Sequence, residues 1–122
     1  MPATIHGVPA SPGIVVGAAH LLFWEVPEVR ARVIADDEID GELVRFHAAV
    51  EKAIERLQRI KVRAEEKAGA AEAAIFDVQV AILQDVELKT RVETLIRQSL
   101  SAEKAFDLVL IEWRDHFARS TN

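Results

Sequence analysis

The stretch from Ala74 to Leu88 carries more apolar residues than one buried helical stripe needs. No Gly or Pro interrupts it, so the pattern predicts the middle of a long helix. Its apolar residues form two adjacent faces, the first with Ile75, Val78 and Ile82 and the second with Phe76, Val80 and Leu83. A helix with two apolar faces either lies deep inside a bundle or offers one face to a partner.

The charge around this stretch is also unusual. From Ala70 to Leu88 the sequence has no Lys or Arg, but it has four acidic residues, Glu72, Asp77, Asp85 and Glu87. Apolar residues surrounded by charge of one sign are typical of a docking surface for a basic protein. The alternative is a central bundle helix with a solvated acidic edge, and the pattern alone favours that simpler interpretation.

Apolar periodicity predicts two long helices joined by a tight turn. The first extends from about Asp37 to Lys67, because apolar residues recur there at alternating three- and four-residue spacing. These residues are Leu43, Phe46, Val50, Ile54, Leu57, Ile60 and Ala64. Gly69 suits the position just beyond a helix C-terminus. The second helix begins near Ala70 and continues to about Gln98, with a bend expected at 84–86, where the apolar register shifts.

A third helix is predicted after Ser101, whose hydroxyl suits an N-cap. Its apolar stripe consists of Phe106, Val109, Leu110, Trp113 and Phe117. We expect this stripe either to pack fully onto the first two helices or to be covered by a fourth. The predicted fold class is therefore mainly α, an antiparallel helical hairpin or bundle of three long helices, with a short N-terminal β segment.

The first 24 residues differ in character from the rest. Three Pro and three Gly within Met1–Phe23 exclude a helix, and Pro12–Gly13 suits a type II turn. Ile14–Val16 and Leu21–Phe23 predict short strands. Strands without a partner strand have open edges, so we expect disorder, a lone hairpin or pairing with another molecule. Residues 25–35 are predicted to be a linker.

Composition excludes several classes of function. The chain has 122 residues and a net charge of -5, which argues against a nucleic-acid partner. The absence of Cys excludes a disulfide framework, a thiolate metal site and a cysteine nucleophile. No apolar run approaches the roughly 20 residues of a membrane span, and no secretory signal pattern occurs. We therefore expect a cytoplasmic protein without membrane insertion.

The sequence assigns no catalytic or metal-binding residue. Its four histidines are His6, His20, His47 and His116, and none lies three or four residues from another as a helical metal pair requires. We expect His47 and His116 at the surface, and we interpret the acidic run that begins at Asp36 as a helix cap. Gly13 is followed by Ile and Val where a phosphate loop needs Gly-Lys-Ser/Thr.

Two stretches resemble enzyme I of the bacterial sugar phosphotransferase system, a family also called phosphoenolpyruvate-protein phosphotransferase. Ala10-Ser11-Pro12-Gly13-Ile14, followed by Gly17 and Ala18, is similar to the N-terminal signature of that family. Residues 74–88 resemble the family's Ala-Ile-Phe-Glu…Leu-Leu-Glu-Asp…Glu-Leu segment. The order of parts agrees as well, and the resemblance covers essentially the whole chain.

The resemblance implies a helical region that docks the phosphocarrier protein HPr, or a paralogue, for phosphoryl transfer. The residues that it implies in protein binding are Ile75, Asp77, Gln79, Ala81, Ile82, Asp85, Glu87 and Leu88. For Ile82 and Leu88, plain core packing is the alternative. The resemblance also implies that residues 1–24 belong to an incomplete α/β subdomain, and that residues 36–122 form an HPr-binding domain whose fourth helix is missing.

The resemblance further implies a phosphorylated histidine in a Gly-Gly-x-x-Ser-His motif and a barrel that binds phosphoenolpyruvate. Neither occurs in these 122 residues, so we expect this segment alone to be inactive and to hold no cofactor. The parent enzyme would use Mg²⁺ and phosphoenolpyruvate. Two other hypotheses stay open: a free-standing adaptor that forms a homodimer through exposed helix faces, and an enzyme that phosphorylates one of its own histidines.

Overall fold

The computed structural model describes residues 3–23, 25 and 27–120, and this part of the chain is mainly helical. A 3-10 turn at Asp36–Glu38 leads into helix α1, and four further helices follow it. The helices are α1 (Ile39–Ala68), α2 (Ala70–Ala73), α3 (Ile75–Gln84), α4 (Val86–Arg97) and α5 (Ala102–Ser120). The structure confirms the predicted mainly helical fold, in which α1 and the α2–α3 arm form a hairpin.

The turn of the hairpin is centred on Gly69. Its φ of 103° lies in a region that side chains disfavour, and its amide donates a hydrogen bond to the carbonyl oxygen of Glu65 at 3.0 Å. This bond ends α1, and α2 begins at the next residue. Both α2 and α3 then pack along α1.

The second arm is interrupted where the bend was predicted. Asp85 has an extended backbone, with ψ of 128°, and thereby ends α3. Its side chain accepts a hydrogen bond from the amide of Leu88 at 2.8 Å, the N-cap arrangement that starts a new helix. The predicted continuous second helix is therefore three helices, α2, α3 and α4.

The hydrophobic core lies where α1, α4 and α5 meet. Its buried members are Ile34, Leu43, Phe46, Val50, Leu88, Val92, Ile96, Ala102, Ala105 and Val109. Only the N-terminal half of the predicted α1 seam is buried, since Ile54 and Leu57 are half-buried and Ile60 is exposed. The first half of α1 contributes to the core shared with α4 and α5, whereas its second half packs beside the short α2–α3 arm.

The described residues 3–23 contain no strand, which corrects the prediction of a short N-terminal β segment. A strand is stabilised by hydrogen bonds to a neighbouring strand, and nothing in the described chain pairs with Ile14–Val16 or Leu21–Phe23. Their apolar side chains are consequently exposed. Gly13 does adopt a positive φ, of 121°, in the predicted turn.

The end of the predicted linker is attached to the turn between α4 and α5. The amide of Ile34 donates to the carbonyl oxygen of Ser99, and the amide of Ser101 donates to that of Arg32, both at 2.9 Å. Val33 and Leu100 form an antiparallel bridge between these two bonds. Because the side chain of Ile34 is also buried, this part of the linker belongs to the helical unit.

A buried carboxylate connects α1 to the N-terminus of α5. Oε1 of Glu42 accepts hydrogen bonds from the Ala102 amide at 2.8 Å and from Nη2 of Arg45 at 2.6 Å. Arg45 also donates from both terminal nitrogens to Glu103, at 2.6 and 2.8 Å. The free amides and the positive dipole end of α5 both favour a carboxylate at this position.

Replacing Glu42 with Ala should destabilise the fold, because it removes the acceptor of the Ala102 amide and one partner of Arg45. We expect the free energy of unfolding to fall by about 2 kcal/mol, the typical contribution of a hydrogen bond to a charged group. Urea denaturation followed by circular dichroism measures this loss. Glu51→Ala, at an exposed position of the same helix, is the control and should change stability by less than about 0.5 kcal/mol. Equal losses in the two variants would contradict this role of Glu42.

Stability should also fall in acid. The hydrogen bond from Arg45 lowers the pKa of Glu103 from 4.5 to about 2, and a hydrogen bond from Arg45 likewise lowers the pKa of Glu42. A carboxyl whose pKa is lower in the folded chain stabilises the fold above its unfolded pKa, and that contribution is lost as pH falls through the folded pKa. We therefore expect a loss between pH 4.5 and about 2 in acid denaturation. Glu103→Gln should make this decline shallower, and an unchanged profile would count against the network.

Candidate docking surface

The residues implied in docking lie on α3 and at the start of α4. Six of them are exposed in the structure: Ile75, Asp77, Gln79, Ala81, Ile82 and Glu87. Asp85 is half-buried at the break between the two helices, and Leu88 is buried. The structure therefore brings the α3 candidates and Glu87 to the surface and separates Leu88 from them.

The two apolar faces of α3 have different surroundings. Ile75, Val78 and Ile82, here called the outer apolar face, are exposed by 57%, 56% and 39%. Phe76, Val80 and Leu83 are half-buried, and Leu83 packs against the core. The protein thus covers much of the second face and leaves the first open to solvent. A contiguous apolar patch that is exposed on a helix is commonly a binding site for a partner.

The acidic residues between 70 and 88 are not equivalent. Lys61 of α1 places its Nζ 2.7 and 2.8 Å from the two carboxylate oxygens of Asp77. Asp85 is engaged as the N-cap of α4. Within the described part of the chain, Glu72 and Glu87 are exposed and form no ion pair.

Leu88 is fully buried and packs with Val92 and Ile96 in the core. The alternative of core packing therefore describes Leu88, whereas Ile82 stays partly open. Ile82 lies near the end of α3, and Leu88 enters the core from the first turn of α4. In this arrangement Leu88 has no surface to offer a partner.

The described residues form no metal site, and their two helical histidines lie at the surface. No group of three His, Asp or Glu side chains there could hold a metal ion. His47 is half-exposed with its Nε2 3.0 Å from Glu93, and His116 lies on the surface of α5 with its ring near that of Phe117. None of the helices in that same part of the chain is long and apolar enough to cross a membrane.

Lys61 is a site residue that the sequence reasoning missed. The signal was present, because Lys61 and Asp77 lie at equal distances along the chain from Gly69. A hairpin that turns at Gly69 places such residues opposite each other. Lys61 lies on the facing arm, outside the cation-free stretch 70–88 on which the prediction of a docking surface depends.

The sequence is similar to those of known proteins. A sequence profile of the family described as PEP-utilising enzyme, N-terminal, matches residues 6–122. The chain is 40% identical over 105 residues to a phosphoenolpyruvate-protein phosphotransferase of Bacillus sp. (strain S). It is 41% identical over 107 residues to one of Geobacillus stearothermophilus. Each alignment covers 85% of this chain and 18% of the relative, so the chain spans less than a fifth of the length of these proteins.

A similar fold is found among solved structures. The fold of this chain is similar to an NMR solution structure of Enzyme I (nEIt), with a TM-score of 0.73 and 23% sequence identity. The match covers 80% of this chain and 40% of that one. At this identity the similarity concerns the fold alone, and it agrees with the helical arrangement described above.

Asp85→Ala should destabilise the protein by about 1 kcal/mol, because α4 would lose its N-cap acceptor. Asp85→Asn keeps an oxygen that can accept from the Leu88 amide, so it should cost only a few tenths of a kcal/mol. Thermal denaturation of the two variants measures both losses of stability at the same position. An equally large loss with Asn would show that the carboxylate charge, and not the cap, is what matters there.

Proposed function

The chain belongs to the family of PEP-utilising enzyme N-terminal domains, and on this premise we propose that its helical hairpin docks the phosphocarrier protein HPr or a paralogue. The proposed parent is a phosphoenolpyruvate-protein phosphotransferase, the enzyme I of a sugar phosphotransferase system. In this proposal phosphoenolpyruvate and Mg²⁺ act in other parts of the parent, and this segment positions the carrier. The segment alone should then transfer no phosphoryl group.

The observation that carries the proposal is the outer apolar face. Ile75, Val78 and Ile82 offer side-chain area that this molecule leaves exposed. Burying such side chains against a partner is favourable at about 25 cal/mol for each Å² of apolar area removed from water. A protein interface commonly places an apolar centre within a polar rim, and exposed acidic residues, Glu72 and Glu87, lie before and after this face in the same stretch of the chain.

Charge selects the kind of partner. Glu72 and Glu87 carry negative charge with no ion pair among the described residues, and the sequence from 70 to 88 supplies no cation to offset it. Complementary charge accelerates encounter and disfavours partners of like charge, so a basic carrier surface fits this face. Because such rim charges are screened by salt, binding should weaken as ionic strength rises.

A second candidate is a homodimeric adaptor. Phe117 and Leu110 leave apolar area exposed on α5, which a second copy could cover. Sedimentation equilibrium of the whole chain separates the candidates. A monomer at micromolar concentration that binds the carrier favours docking, and a tight dimer that does not bind it favours the adaptor.

Val78→Lys should weaken carrier binding by about tenfold or more, because it places a cation in the middle of the outer apolar face. Val62→Lys is the matched control, since Val62 is a helical valine of nearly equal exposure, 57%, on α1. NMR titration with HPr of Geobacillus stearothermophilus at low salt measures both affinities. If the wild-type chain shows no shifts at residues 75–87, or if both variants bind equally well, the proposal fails.

A further inference from the structure

The acidic residues of the docking surface are not equally available to a partner. In the described chain, the bond to Lys61 is the one ion pair that α2 or α3 forms. At about 100° per residue, Asp77 lies roughly 100–160° around α3 from the residues of the outer apolar face, on the side where Lys61 of α1 reaches it. One exposed acid of α3 is therefore already paired with the protein's own cation.

The contact between Lys61 and Asp77 is bidentate. Nζ of Lys61 is nearly equidistant from the two oxygens of Asp77, at 2.7 and 2.8 Å. The Lys61 side chain is only one-third exposed, at 34%, whereas that of Asp77 is 61% exposed. The lysine thus approaches from the α1 side, and the carboxylate keeps its other side toward solvent, where a partner would arrive.

Lys61 differs in position from the other cations of α1. Lys52, Arg56, Arg59 and Arg63 follow one another at three- and four-residue spacing and so share one side of the helix. Lys61 is two residues from Arg59 and from Arg63, about 200° around the helix, and so lies on the opposite side. These four residues form no ion pair in the described structure. They provide a natural set of controls for the charge of Lys61.

We propose that Lys61 limits the affinity for a docking carrier, because it competes with the carrier's cation for the carboxylate of Asp77. The inference rests on the proposed docking function and adds to it the residue that sets affinity. To bind Asp77 fully, a lysine or arginine of the carrier has to displace Lys61. The displaced ammonium then faces a basic surface and repels it. Lys61 therefore keeps the interaction weak and readily reversible.

Removing the charge of Lys61 should tighten binding. Lys61→Met retains most of the aliphatic stem and removes the ammonium group. With HPr of Geobacillus stearothermophilus as the probe, we expect the dissociation constant at about 0.05 M salt to fall about three- to tenfold. At about 0.5 M salt, where the screening length is only a few ångström, the difference should vanish.

Two comparisons separate competition from other effects. Lys52→Met removes the same charge from the other side of α1 and should change affinity by less than about twofold. In an Asp77→Asn background, Lys61→Met should give no gain, because the contested carboxylate is absent. A Lys61→Gln variant repeats the measurement with a polar replacement, and the thermal midpoint of each variant verifies that it is folded.

The outcomes distinguish this inference from the function on which it rests. If the wild type binds HPr and Lys61→Met binds equally or more weakly, Lys61 does not compete, and the docking proposal stands without it. A gain of the same size in the Asp77→Asn background also overturns the inference. If the wild type shows no binding at low salt, both proposals fail together.

Discussion

The hydrogen bonds of the Glu42 carboxylate are the constraint on which the helical arrangement depends. The side chain is buried, and it accepts from the first amide of α5, from Arg45 on its own helix and, at 3.6 Å, interacts with Arg32 of the linker. A buried carboxylate is costly unless its charge and lone pairs are satisfied, so these contacts are required together. Three separate parts of the chain consequently meet at one point, and the core between α1, α4 and α5 forms beneath it.

The same arrangement leaves the α2–α3 arm outside the main core. Leu83 contacts the core from this arm, but α3 has no fully buried residue. The helices that stabilise the protein are thus different from the helix that presents the proposed docking surface. Surfaces used for binding are commonly taken from the less stable parts of a fold, because their exposed groups have to remain available. In this chain the separation is achieved by placing a short helix beside one half of a long one.

Much of this architecture could be predicted from the sequence, for physical reasons that differ by element. Gly69 and the periodic apolar residues of α1 act locally, so the hairpin turn and the bounds of α1 were predictable. The sequence did not predict which apolar residues would be covered. Ile82 and Leu88 are both large aliphatic residues in the same apolar stretch, and only the folded arrangement distinguishes the exposed one from the buried one. The prediction of strands at 14–16 and 21–23 was wrong, because a strand also needs a partner strand outside the segment. Glu42 gave no signal, as an acidic residue in the first turn of a helix is ordinarily solvated.

The interruption at Asp85 also bears on how this protein can change. In one continuous helix, inserting or deleting a residue in α3 would turn the apolar stripe of α4 by about 100°. With a single extended residue between them, the two helices have independent rotational settings, and Asp85 fixes the start of α4 by its own cap. The length of α3 can therefore change without turning Leu88, Val92 and Ile96 out of the core. A chain built in this way can diverge in partner preference while its interior stays conserved.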